Sequence, residues 1–180
     1  MKGATRLNRH ECPKKIIAVY EKEGRCAAVL RSLLNLCGRG ESFSVLSQDA
    51  APPECPPSVC LLCMEEKREA LPQGLPVCAA EYGLVSGLDS SAFSQIITYS
   101  MTEDGADFTV RNIRTARDGS VAFEMVGIGI IGRVRLRSED PVDAFSSLAA
   151  FAAAVGAGVP FADALEALNR IDFEPLRSGC

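Results

Sequence analysis

The run Lys14-Lys-Ile-Ile-Ala-Val-Tyr-Glu-Lys-Glu-Gly-Arg-Cys26 decides the fold of this chain. Its apolar part, residues 16–19, has the length of a strand, and a charged turn that contains Gly24 follows it. From Arg25 onward, apolar residues recur at helical spacing until Gly38 and Gly40 end the pattern. A strand, a glycine turn and a helix in this order predict the first unit of an α/β sheet.

The rest of the chain extends this unit. Apolar runs predict strands at residues 42–46, 58–64, 75–80 and 95–99, a proline-rich loop at 50–57, and short helical pieces at 65–70 and 86–93. Three more strands, at 108–114, 121–126 and 130–137, predict an antiparallel meander with turns at Asp118-Gly119 and 127–129. Asp140 and Pro141 then begin an alanine-rich helix with Val142 on its apolar stripe, and residues 161–171 form a second helix. The prediction is a three-layer α/β/α domain over 14–174, with a mixed, mostly parallel sheet, the meander and a C-terminal helical pair; residues 1–13 are an N-terminal extension and 175–180 a tail.

Composition narrows the function classes. Of the 180 residues, 47% are hydrophobic and 23% charged, which is typical of a folded globular domain and excludes a disordered one. The net charge of -4 argues against a nucleic-acid-binding protein, whose surface is normally basic. No apolar run approaches the roughly 18–20 residues of a membrane span, and no signal-peptide pattern follows Met1. We therefore expect a cytoplasmic protein with no membrane partner, which binds an unidentified protein or forms a homodimer.

Three stretches resemble one known family. They read Ile-Ile-Thr-Tyr-Ser at 96–100, Asp-Gly-Ala-Asp-Phe-Thr-Val-Arg-Asn-Ile at 104–113 and Ser-Leu-Ala-Ala-Phe-Ala-Ala-Ala-Val-Gly-Ala-Gly-Val-Pro at 147–160. Together with the opening strand and turn, they are similar to the central domain of the Mur ligases. The resemblance covers most of residues 14–172. It implies an ancestry among ATP-dependent amide ligases of cell-wall precursor synthesis, to which folylpolyglutamate synthetase is related.

The phosphate loop departs from the pattern of that family. The family reads Gly-Thr-Asn-Gly-Lys-Thr/Ser where this chain has Glu21-Lys-Glu-Gly-Arg-Cys26. Two carboxylates now lie where phosphate would bind, and Cys26 offers no hydroxyl for Mg²⁺, which prefers oxygen ligands. Gly24, Arg25 and Cys26 are therefore predicted to be a vestigial phosphate loop. We expect no cofactor there, and ATP with Mg²⁺ is the less favoured alternative.

These departures favour a non-catalytic domain that acts as a binding or scaffold module, with no catalytic residues, no metal and no cofactor. The family's magnesium-binding Glu and His have no counterpart, since the one histidine is His10, and Asp143 and Ser146 replace its Asn pair. The alternative is an ATP-dependent amide ligase subunit, related to cell-wall precursor or folylpolyglutamate synthesis, which uses the altered loop.

Eight cysteines give a second alternative. The spacing Cys55-x4-Cys60-x2-Cys63, with Cys78 further on, matches that of plant-type [2Fe–2S] ferredoxins and suggests a metal or Fe–S protein. Cys60 and Cys63 would point to opposite faces of a strand, however, which favours buried thiols.

Two further patterns lie in the meander. Arg133, Arg135 and Arg137 should share one face of a strand, either as a solvated surface or as an anion-binding patch, which other arginines at 111, 114 and 117 would extend. The glycines at 127, 129 and 132 fit G-x-G-x-x-G, but an alternating strand follows them, so they predict a hairpin turn instead.

Outside the meander, Glu81 and Tyr82 follow the strand predicted at 75–80, at the sheet edge where α/β proteins bind ligands.

Overall fold

One eight-stranded sheet organises the protein. The computed structural model describes residues 14–47, 55–63, 71, 74–138 and 140–177. The strands follow the order β2-β1-β3-β4-β5-β6-β7-β8 across the sheet. Pairings from β2 to β6 are parallel, and β6–β7 and β7–β8 are antiparallel. Their bounds are β1 (Lys15–Tyr20), β2 (Phe43–Ser47), β3 (Val59–Leu62), β4 (Leu75–Glu81), β5 (Phe93–Ser100), β6 (Phe108–Thr115), β7 (Val121–Gly127) and β8 (Ile130–Leu136).

Three helices pack together on one face of this sheet. They are α1 (Arg25–Leu36), α2 (Pro141–Gly156) and α3 (Phe161–Leu168), and a short α4 (Glu174–Arg177) follows. α2 crosses the middle of the sheet, where small alanine side chains let its backbone approach the strands, so most of its residues are buried. Phe151 of α2 anchors the contact edge-on against Phe108 of β6, with 5.4 Å between ring centroids.

The other face carries a smaller apolar cluster. Tyr20, Cys60, Leu62, Cys78 and Ala80 are buried there, and leucines and a valine of the segment after β4 pack against them. That segment contains two 3₁₀ turns, Tyr82–Gly87 and Ser90–Ala92, so the helix predicted over 86–93 is wrong. Asp89 accounts for the break, because its carboxylate accepts the Ser91 amide and starts a second turn.

The meander follows its turn signals. Asp118-Gly119 joins β6 to β7, and Ile128-Gly129 joins β7 to β8, which confirms the hairpin interpretation of the glycine motif. β6 also carries a β-bulge between Arg111 and Arg114, where Asn112 has a positive φ of 55°.

The predicted α/β class, the mixed and mostly parallel sheet, the meander and the C-terminal helices are confirmed. Asp140 caps α2 as predicted, since its side chain accepts the Val142 amide at 2.9 Å. Val142 itself is 47% exposed in the first turn of α2, so its predicted place on the buried apolar stripe is wrong. The predicted helical piece at 65–70 and most of the proline-rich loop lie outside the described residues. Among the described helices, none has both the length and the apolar character needed to cross a membrane.

Candidate functional site

The segment that the sequence predicts to be a vestigial phosphate loop joins β1 to α1 at the carboxyl end of the parallel strands. β1 ends at Tyr20, and α1 begins at Arg25. Gly24 between them has a φ of +73°, and a Cβ added to it would meet no atom within 4 Å. The left-handed backbone, and not a lack of space, therefore requires glycine at this position.

The carboxylate of Glu21 lies at the first turn of α1. Its Oε2 accepts the backbone N–H of Cys26 at 2.7 Å, and its Oε1 accepts that of Ala27 at 2.7 Å. Glu21 is only 6% exposed, so these contacts are shielded from water. The first amides of a helix have no partner within the helix, and they carry the positive end of its dipole. Glu21 thus occupies the amides that a phosphate loop presents to its anion.

Arg25 turns to the beginning of α2. Its Nη1 donates to Asp140 Oδ2 at 2.6 Å and to Asp143 Oδ1 at 3.0 Å. The hydrogen bond with Asp140 is the main cause that raises the pKa of Arg25, while its partial burial acts in the opposite sense. Asp143 is 1% exposed and also accepts the hydroxyl of Ser138. The guanidinium of Arg25 is therefore held by two carboxylates that lie 115 and 118 residues further along the chain.

Cys26 lies beneath the loop in a small sulfur and hydroxyl cluster. Its Sγ is 3.7 Å from the Sγ of Cys63, which in turn is 3.3 Å from the hydroxyl of Tyr99. The Tyr99 hydroxyl donates to the Leu62 carbonyl at 2.9 Å. The hydrogen bond with Cys63, followed by burial, raises the pKa of the Cys26 thiol far above its usual range. Cys26 therefore stays a neutral thiol at physiological pH.

The remaining cysteines of the ferredoxin-like spacing are spread over the sheet. Cys60 and Cys78 pair across β3 and β4 on the face of Tyr20, whereas Cys63 packs on the helical face. Burial raises the pKa of both Cys60 and Cys78 to about 12. Cys55 is disulfide-bonded. Within the described ranges, no three His, Cys, Asp or Glu side chains are grouped as a metal ion would need.

A second candidate lies on the meander, on the face away from the helices. An open cleft of about 540 Å³ is lined there by Arg114 of β6, Ala122 and Glu124 of β7, and Arg133 and Arg135 of β8, among others. The burial of β8 alternates as predicted, with its arginines exposed.

Not all the predicted arginines share this cleft. Arg137 is not among its lining residues, and its backbone instead bridges to Asp172. Glu81 and Tyr82 do lie at the end of β4, where the Glu81 carboxylate accepts the Gly83 amide at 2.9 Å.

Solved structures match the fold of this chain. MurF from Acinetobacter baumannii aligns with a TM-score of 0.66 at 18% identity, over 89% of this chain and 46% of that one. A UDP-N-acetylmuramoyl-L-alanyl-D-glutamate–2,6-diaminopimelate ligase aligns with a TM-score of 0.71 at 15% identity, over 89% of this chain and 47% of that one. The fold is Mur-ligase-like. MurF from Thermotoga maritima, solved in complex with ADP, aligns with a TM-score of 0.63 at 12% identity, over 88% of this chain and 48% of that one.

These identities are low, so the likeness is one of fold. The chain spans about half the length of these Mur ligase structures. No protein-family model matches the sequence, and no curated protein is significantly similar to it.

The sequence pattern places a turn between β1 and α1, but it does not reveal the internal partners of that turn. From the sequence alone, Glu21 predicts only repulsion of phosphate, and Asp140 predicts only the cap of α2. An acidic residue next to the strand, followed by a glycine turn and a helix, is a signal that could have suggested the Glu21 contacts. No local signal links Arg25 to α2.

Proposed function

We propose that this protein is a non-catalytic Mur-ligase-like domain that acts as a binding or scaffold module. One observation carries the proposal: the buried carboxylate of Glu21 accepts the Cys26 and Ala27 amides at 2.7 Å each. A phosphate loop works by offering such amides to its ligand. Here an anion that belongs to the chain already holds them.

The residues present do not fit a magnesium nucleotide. To enter, a phosphate would have to displace Glu21 from its two hydrogen bonds, and the released carboxylate would repel it by about 1 kcal/mol or more. Arg25 would also have to give up its ion pair with Asp143, whose carboxylate is buried. Cys26 supplies a neutral thiol where a magnesium ligand would need an oxygen.

A ligase subunit is the second candidate, and the likeness of fold favours it. The similar structures are ligases, and one of them was solved with ADP. In this hypothesis, Gly24 and Arg25 hold the phosphates of ATP in an amide-forming reaction, after Glu21 swings out.

A melting scan separates the two candidates. The protein is heated with and without millimolar Mg-ATP, Mg-ADP and Mg-UTP. A ligand at about 100 times its dissociation constant would stabilise the fold by roughly 2.7 kcal/mol, a shift of several degrees. We expect no shift with any nucleotide. A shift that disappears in Arg25→Ala would overturn the proposal in favour of the ligase subunit.

Glu21→Gly makes the test sharper, because it removes the internal anion and puts back the family's glycine. Glu81→Gly is the matched control, since Glu81 also accepts a backbone amide at the same edge of the sheet. If Glu21 excludes phosphate, Glu21→Gly gains a nucleotide-dependent shift and Glu81→Gly does not.

The binding role also needs a partner, which is either a second copy of the chain or another protein. Light scattering at micromolar concentration tests for the second copy.

A further inference from the structure

We propose that the outer face of the β6–β7–β8 meander binds a phosphoryl group of a small molecule. The site is the cleft of about 540 Å³ around Ala122, where the guanidinium groups of Arg114, Arg133 and Arg135 would bind the phosphoryl oxygens. This inference rests on the proposed binding role and names a ligand class for it.

The strand register places arginines on both sides of the small side chain of Ala122. In one row across the three strands, Ala122 of β7 pairs with Arg114 on one side and Arg135 on the other. Neighbouring strands are about 4.8 Å apart, so the two arginine backbones are separated by roughly 10 Å. Two long side chains span that distance, and the methyl group of Ala122 leaves room between them. Arg133 lies two residues before Arg135 on the same face of β8.

A β-bulge brings Arg114 to this face. Arg111 pairs with Glu124 and Arg114 with Ala122, so β6 uses three residues where β7 uses two. In a regular strand, residues three apart point to opposite faces. The extra residue corrects this and places both arginines on the outer face, a role that bulges often have beside binding sites. Asn112 in the bulge adopts its positive φ of 55° and donates to Glu124 at 2.7 Å, which turns that carboxylate toward β6.

The charges of the cleft are only partly compensated. Arg135 is held by Asp118 at 2.5 Å and by the Ser120 hydroxyl at 2.9 Å, which fixes its position. In the described part of the chain, neither Arg114 nor Arg133 has an ion-pair or hydrogen-bond partner for its side chain. Two guanidinium groups thus remain available beside a third that is already oriented.

This donor set suits a phosphoryl group. Guanidinium groups form paired hydrogen bonds with carboxylates and phosphates, but three of them offer more donors than the two oxygens of one carboxylate accept. A terminal phosphate presents three oxygens. The net charge of -4 disfavours a long polyanion, and the volume of the cleft is that of a small-molecule site.

An NMR titration of the ¹⁵N-labelled protein tests the site. Sodium phosphate is added at constant ionic strength, with sodium chloride and sodium malonate as parallel arms. We expect saturable shifts of the amides around Ala122 with phosphate, at an affinity at least several-fold higher than with malonate. Equal affinity for malonate would overturn the assignment of a phosphoryl group, and the absence of saturation would overturn the site.

Variants separate a built site from general charge. Arg114→Gln with Arg133→Gln should weaken binding about tenfold or more, as expected for lost hydrogen bonds to a charged group. Arg39→Gln with Arg117→Gln removes the same charge from exposed positions outside the cleft and should leave the affinity within about twofold. Ala122→Leu keeps every charge and fills the hollow, so it should also abolish saturation. Equal weakening in the control pair would refute the site.

The test uses neither nucleotide nor Mg²⁺. Its failure would therefore remove the meander site and leave the result of the melting scan on the Glu21 loop unchanged.

Discussion

Replacing Glu21 by alanine should measurably destabilise the fold. The change removes two buried, charge-assisted hydrogen bonds of 2.7 Å and leaves the Cys26 and Ala27 amides without an acceptor. Hydrogen bonds to charged groups contribute about 1.5–3 kcal/mol each, but the desolvation of the buried carboxylate offsets part of this. The helix dipole adds up to about 1–2 kcal/mol for a partly buried charge. We expect a net loss of about 2–4 kcal/mol in the free energy of unfolding.

Urea denaturation followed by far-UV circular dichroism measures this loss, because the chain has no tryptophan to report by fluorescence. For a domain of this size, each kcal/mol also lowers the melting temperature by about 2–4 °C. Glu21→Gln is the isosteric variant: its amide keeps one acceptor and turns a donor toward the second N–H, so it should lose nearly as much.

Glu81→Ala serves as the control. Glu81 accepts one amide, that of Gly83 at 2.9 Å, in a more exposed position, so its loss should cost about 1 kcal/mol or less. A free energy of unfolding for Glu21→Ala within about 0.5 kcal/mol of the unchanged protein would refute the reasoning, because surface substitutions without a structural role fall in that range.

The remaining predictions concern the same loop and the buried thiols. Arg25→Ala should cost about 2–4 kcal/mol in urea denaturation, since it removes the guanidinium that pairs with the buried carboxylate of Asp143; Arg25→Lys should recover part of the loss, and an unchanged midpoint would contradict the pairing. Gly24→Ala should cost about 1–2 kcal/mol, because its φ of +73° is unfavourable for any residue with a Cβ; a neutral effect would show that the turn relaxes. Cys60 and Cys78, whose pKa burial raises to about 12, should resist alkylation at pH 8 until the protein unfolds, as mass spectrometry of the labelled peptides can show. Since their pKa is higher in the folded state, both thiols favour folding below about pH 9, and this stabilisation should be lost as the pH rises from about 9 to 12; a flat stability profile over that interval would contradict their burial.

Local signals predicted much of the fold. The apolar run at 16–19 became β1, Asp140 and Pro141 began α2, and both meander turns formed at their glycines. Each of these features depends on a few neighbouring residues. The helix predicted at 86–93 does not form. In a short polar segment, a side-chain hydrogen bond to the backbone competes with helix formation, and here the Asp89 carboxylate accepts the Ser91 amide and starts a separate turn.

The candidate sites, like the fold, are predicted by the sequence only in part. The sequence by itself predicts that residues 21–26 are an altered phosphate loop, because glycine, lysine and hydroxyl groups are missing from fixed positions of a short pattern. It also determined that the arginines of β8 share a face, because side chains alternate along a strand.

Only the tertiary structure decided which charges meet. Arg25 pairs with Asp143 across 118 residues, and Arg114 lies beside Ala122 because a bulge shifts the register by one residue. A local pattern contains no information on such contacts, since they arise when the sheet brings distant segments to one edge. Packing also decides what the Glu21 carboxylate contacts: it is buried at the first turn of α1, where it accepts the Cys26 and Ala27 amides, and a buried charge needs such hydrogen bonds.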